Sequence, residues 1–126
     1  MKILLDTHVL LWSVFEPHKL SSEAKEVIAD QHNFVLVSII SLWEIAIKTS
    51  IGRLNIPESF FEQITDDSGF ELLSLKPIHM NYYLRLPLHH RDPFDRLLVA
   101  QAQEAKLTFI TADVSMMQYD VTLLKI

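Results

Sequence analysis

The chain has 126 residues, 49% hydrophobic and 21% charged, which suits one domain over residues 1–126 and leaves no room for a second core. A net charge of −5 argues against a broad basic footprint for nucleic acid, and the absence of cysteine excludes disulfide staples and thiolate metal sites. Two glycines are too few for a P-loop or a Gly-x-Gly-x-x-Gly cradle, which removes most nucleotide-binding α/β readings.

Lys2 to Leu5 reads as a short apolar strand stopped by Asp6-Thr7. A secretory signal is not expected, because only three apolar residues precede Asp6 and no small-residue cleavage site follows. Val9 to Phe15 predicts a short helix ended by Glu16-Pro17, and Ser21 or Ser22 caps a second running to about Asp30. Phe34 to Val37 is a buried strand, and Ser38 opens a long helix to about Ile51 with Gly52 at its end. The apolar stretch from Phe34 to Ile47 is shorter than a membrane span and contains Trp43 and Glu44, so a soluble, cytoplasmic protein is expected. Pro57 predicts a helix start with its end near Asp67, and Phe70 to Leu75 a third strand. Pro77 opens another helix broken by Pro87, and Asp92-Pro93 starts one running to about Lys106. Leu107 to Ile110 and Val121 to Lys125 complete the strands. Short apolar strands alternating with helices predict an α/β fold with a mostly parallel sheet.

Four acids fall at equivalent places in that scheme. Asp6 follows the first strand, Asp113 follows Phe109-Ile110-Thr111, Glu44 lies in the second turn after strand two, and Asp95 opens the helix before strand four. Ligands of parallel sheets bind outside the carboxyl ends of the strands, so all four map to one rim. Ile40, Glu44, Ile47 and Ile51 share a helix face, as do Asp95, Leu98, Val99, Ala102 and Ala105. Ionised carboxylates on such stripes are costly unless they converge on a cation, and oxygen ligands without cysteine favour Mg²⁺ or Mn²⁺. Each acid also has a purely structural reading. Ser41-x-x-Glu44 matches a capping box, Asp92-Pro93-Phe94-Asp95 a helix cap, Asp6-Thr7 a turn, and Asp113 a cap for a short helix through Met116-Met117.

The blocks LLDTHVLLW, SIISLWEIAIK, HHRDPFDRLLVAQA and FITAD, in this order, resemble the PIN-domain ribonucleases, and most nearly the VapC-type toxins of toxin–antitoxin pairs. The resemblance spans essentially the whole chain. It implies a three-layer α/β/α sandwich on a sheet of four or five strands, and a divalent-metal-dependent endoribonuclease held in check by a small antitoxin. It places the catalytic and metal-binding acids at Asp6, Glu44, Asp95 and Asp113, with hydroxyls beside the metals at Thr7 and Thr111. Asp92 is an acid the pattern does not require, and Tyr119-Asp120 stands where a glycine turn is expected.

Mg²⁺ or Mn²⁺ on these acids would activate water for RNA hydrolysis. Substrate contacts must then come from cations, and Lys48, Arg91 and Arg96 are the candidates; Lys48 can equally pair with Glu44 one turn away. His8, His89 and His90 read as surface residues before catalytic bases, and Trp12, Trp43, Phe60 and Phe61 as packing before base stacking. Leu11, Trp12, Phe15, Phe60 and Phe61 would form an apolar patch, in keeping with the homodimer and antitoxin groove the resemblance implies. The rival reading is a non-catalytic interaction module whose acids serve only as caps. A receiver domain would need an acid after strand three, where Leu73-Ser74-Leu75-Lys76 has none; a haloacid-dehalogenase-type phosphatase would need Asp-x-Asp, where residue 8 is His.

Overall fold

A computed structural model describes residues 1–89, 91–120 and 122–125. Five strands form one all-parallel sheet: β1 (Lys2–Leu5), β2 (Phe34–Ser38), β3 (Glu71–Leu73), β4 (Thr108–Thr111) and β5 (Thr122–Lys125), in the order β3-β2-β1-β4-β5. The chain starts at the centre, moves out to one edge, then returns to the other side of β1. The direction of winding therefore reverses between β1 and β4, which opens a crevice beyond their carboxyl ends.

The period-two pattern of the strands builds two cores. Ile3 and Leu5 of β1, Val35 and Val37 of β2 and Ile110 of β4 face α1 (Thr7–Phe15), α2 (Ser22–Ala29) and α3 (Ile39–Ser50). On the same side, Phe60 of the short helix α4 (Phe60–Glu62) and Ile64 of the π-turn Gln63–Asp67 close this layer. Leu4 and Phe109 point the other way, onto α5 (Pro77–Arg85), α6 (Pro93–Ala105) and Met116 of the 3₁₀ turn Val114–Gln118. Helices on both faces of a parallel sheet make the three-layer α/β/α sandwich.

Local chemistry sets the helix ends. Asp6, Ser21, Ser38 and Asp92 stand in extended conformation and accept the first-turn N–H groups of α1, α2, α3 and α6. Beyond α3, Gly52 takes φ 75°, which only glycine adopts without strain, and turns the chain away from the helix. Lys106 adopts the left-handed conformation at the end of α6, a place more often held by glycine.

Two expected elements are shorter. The helix expected from Pro57 begins at Phe60, because Pro57 to Ser59 is spent on a turn closed by the Phe60 N–H on the Pro57 carbonyl (3.0 Å). The strand expected over Phe70–Leu75 pairs only over Glu71–Leu73. The strand expected to begin at Val121 is described from Thr122; Val121 and His90 lie outside the described residues.

Candidate active site at the strand ends

Asp6 leaves the carboxyl end of β1, and Thr111 ends the adjacent β4. Their side chains meet across the crevice: the Thr111 hydroxyl donates to Asp6 Oδ2 (2.6 Å) and accepts the Asp113 N–H (3.0 Å). The other Asp6 oxygen, Oδ1, accepts the Thr7 N–H at 2.7 Å. Thr7 in turn donates its hydroxyl to Ser41 Oγ (2.9 Å), tying the start of α1 to the first turn of α3. Ser41 is therefore not the capping-box residue its spacing suggests. Ser38 caps α3, and Ser41 is buried one turn before Glu44.

Glu44 is 5% exposed and points inward from α3. Its Oε2 lies 3.0 Å from Lys48 Nζ, while Oε1 is buried with no hydrogen-bond partner. The stripe read from the sequence is graded: Ile40 is buried, Ile47 half-buried and Ile51 exposed. Burial pushes the Asp6 carboxyl above the ordinary aspartate range, and the Glu44 charge adds to this. Hydrogen bonds from Thr111 and Thr7, and the nearby His8, pull the other way without cancelling it.

Asp95 arrives on a different element. It is half-buried in the first turn of α6, and Asp92 Oδ1 accepts its N–H (3.4 Å) together with that of Phe94 (2.9 Å). Phe94, next to Asp95, packs edge-on against Trp43, next to Glu44, with ring centroids 5.4 Å apart. This contact brings the N-terminal halves of α3 and α6 together. Asp113, half-buried after β4, caps the 3₁₀ turn through Ser115 N–H (2.9 Å) and accepts the Ser115 hydroxyl (2.7 Å).

The rim thus gathers hard oxygen donors from β1, α3, α6 and the loop after β4. Among the described residues, no three acidic or histidine side chains are drawn onto one ion-sized point. Glu44 leans on Lys48, and Asp6 on Thr111. The donor set fits a hard divalent cation, and the orphaned Glu44 Oε1 is the observation that fits it best.

The cations divide. Lys48 makes the i,i+4 pair with Glu44, and Arg91 is exposed just before α6. Arg96 departs from its expected role at the substrate surface. It is 7% exposed, donates to the Pro87 carbonyl (3.0 Å) and Tyr119 hydroxyl (3.4 Å), and lies 4.8 Å from the centre of the Tyr83 ring. It belongs to the packing of α5 on α6, because its flat cation covers an aromatic face that would otherwise be wet. The apolar patch is also smaller than expected: Phe60 is a core residue, while Phe15 stacks on it from outside at 5.6 Å. His8 and His89 are exposed, and His89 rests against Tyr119 with ring centroids 5.3 Å apart. The sequence offers Ser41 only as a capping-box residue, and its bond to Thr7 could not be read from it because the partner lies 34 positions away.

Compared by sequence with curated proteins, the chain finds no match. Compared by structure, it superposes on VapBC2 from Rickettsia felis bound to a DNA fragment from its promoter (TM-score 0.74, 18% identity, 99% of this chain and 98% of that one). It also superposes on DNA-bound VapBC from Salmonella typhimurium (TM-score 0.73, 14% identity, 99% and 98%). VapBC-1 from nontypeable Haemophilus influenzae follows the same path (TM-score 0.70, 17% identity, 99% and 98%). At these identities the likeness speaks for the fold. A family profile described as the PIN domain matches residues 3–121, nearly the full length, and the chain belongs to the PIN-domain family.

Proposed function

We propose that the protein is a divalent-metal-dependent endoribonuclease that serves as the toxin of a toxin–antitoxin pair. The observation that carries this reading is Glu44. A buried carboxylate with one oxygen unpartnered, whose charge helps to raise the carboxyl of Asp6, is costly for stability alone.

Asp6, Glu44, Asp95 and Asp113 are the residues that would hold Mg²⁺ or Mn²⁺. When bound, the ion supplies a Lewis acid that activates water and neutralises the departing oxygen of the phosphodiester. Thr111 and Thr7 orient Asp6, and Ser41 fixes Thr7 against the helix that carries Glu44. Arg91, exposed beside the Asp95 helix, is placed to meet an RNA phosphate. Asp92 acts on α6 rather than on substrate, holding the first turn that carries Asp95.

An antitoxin partner is supported by the structural neighbours, which are VapBC complexes. A homodimer is supported by an exposed apolar surface formed by Ile39, Trp43, Leu72 and Leu75. The reading places the protein in the cytoplasm. Among the described residues, no helix is long and apolar enough to cross a membrane.

The second reading, a non-catalytic module, draws on the caps made by Asp6, Asp92 and Asp113. Incubation with total RNA and Mn²⁺, followed by mapping of new ends, separates the two. Discrete ends that vanish with EDTA and with Asp6→Asn support the nuclease; RNA left intact by well-folded protein supports the module. Light scattering behind size exclusion tests the dimer, and a monomer at micromolar concentration refutes it.

A further inference from the structure

Lys48 sits between two sites. Its ammonium lies 3.0 Å from Glu44 Oε2, with Glu N-terminal to Lys at i,i+4, the favourable orientation on a helix. Glu44 is buried, yet the Lys48 side chain is 37% exposed, so the pair reaches from the crevice to the surface. There Lys48 lines a cleft of about 370 Å³ with His8, Trp12, Arg53 and Asn55. Glu16, the acid in that cleft, pairs with Lys19 at 3.2 Å, and Arg53 and Lys48 are the cations that line it.

We infer that Lys48 is the resident cation of the metal-free site and a phosphate ligand of the metal-loaded one. Without a divalent ion, it balances the Glu44 charge that burial makes expensive. When an ion takes the Glu44 carboxylate, cation–cation repulsion and the loss of its partner turn the Lys48 ammonium into the cleft. The flexible four-carbon stem permits that move without backbone change. Beside Arg53 it then receives a backbone phosphate of the RNA strand flanking the scissile bond, with the Trp12 and His8 rings (centroids 6.1 Å apart) at the same cleft. The negative charge of the acid site is thereby partly balanced in the absence of metal, and substrate affinity is coupled to metal occupancy.

This inference rests on the reading of the rim as a metal site, and its signature has an unusual sign. Lys48→Met should bind Mn²⁺ more tightly than the parent, about 5-fold in a calorimetric titration, because the competing charge is gone. The metal-free variant should melt below the parent and the gap should close at saturating Mn²⁺. Lys48→Arg, which keeps the charge, should stay within about twofold of the parent in Mn²⁺ affinity. With Mn²⁺ present, Lys48→Met should also weaken binding of a single-stranded oligonucleotide and flatten its salt dependence by roughly one phosphate contact. Parent protein that binds Mn²⁺ while Lys48→Met binds it equally or more weakly overturns this inference and leaves the metal site standing. Parent protein that binds no Mn²⁺ overturns both. Tighter metal binding with unchanged oligonucleotide binding overturns the phosphate role.

Discussion

Two polar clusters are buried at the carboxyl ends of this sheet, and they are built on opposite principles. Beyond β2 and β3, the fully buried Gln101 of α6 accepts from the Ser38 hydroxyl (2.5 Å) and donates to the Ser74 carbonyl (3.3 Å). Ser38 meanwhile caps α3 through the Ile40 N–H (3.1 Å), and nearby His79 accepts the Lys76 N–H (2.9 Å) at the start of α5. These partners are hydrogen-bonded, with His79 Nε2 also 3.5 Å from Glu104 Oε2, and together they tie α3, α5, α6 and the end of β3 into one frame. Beyond β1 and β4, Asp6 and Glu44 are equally buried but repel each other, and Glu44 keeps one oxygen unpartnered. Equal burial therefore does not mean equal purpose. The satisfied cluster spends its polarity on rigidity, and the unsatisfied one holds electrostatic cost that a ligand can relieve.

That contrast is open to direct attack. The largest effect should fall on activity at the unsatisfied rim. Asp6→Asn or Glu44→Gln, assayed for RNA cleavage with Mn²⁺, should lose on the order of 100-fold or more in rate, since several kcal/mol of charge stabilisation go with the ligand. Near-parental rates in both variants would make the rim as structural as its counterpart.

Next in size is the satisfied cluster. Gln101→Leu strands the Ser38 hydroxyl and Ser74 carbonyl and should cost about 2–3 kcal/mol in denaturant unfolding. A loss below about 0.5 kcal/mol would show that this network is not holding the frame.

Smaller, and opposite in sign, is the stability change at the rim. The raised carboxyl of Asp6 holds its proton more tightly in the folded chain than in the unfolded one. Its contribution to stability is therefore present below the unfolded-state pKa and is lost as pH rises through the higher folded-state value. At neutral pH the ionised group weighs against folding, so Asp6→Asn should raise Tm by a few degrees, about 2–4 °C. The gain should vanish on acidification below the carboxylate range. A lower Tm at pH 7 would mean that the Thr111 and Thr7 hydrogen bonds outweigh burial. Smallest is the cap: Asp92→Ala should cost about 1 kcal/mol through the first turn of α6, read by thermal melting.

Much of this was written in short-range pattern. Near-unbroken apolar runs in Lys2–Leu5 and Phe34–Val37 mark strands buried on both faces, and the capping roles of Ser38, Asp92 and Asp113 follow from side chains that reach N–H groups two or three residues away. The shared rim of the four acids follows from strand–helix order alone, because a parallel sheet puts every strand end on the same side.

What tertiary structure decided depends on partners far apart in the chain. Thr7 meets Ser41 across 34 positions, Ser38 meets Gln101 across 63, and Asp6 meets Thr111 across 105. No local rule distinguishes Arg96, sunk between Tyr83 and Tyr119, from the exposed Arg91 five positions earlier; only the packing of α5 on α6 does. Periodicity reports which way a side chain points, but whether it meets an aromatic ring, a carboxylate or water is set by which element arrives opposite it.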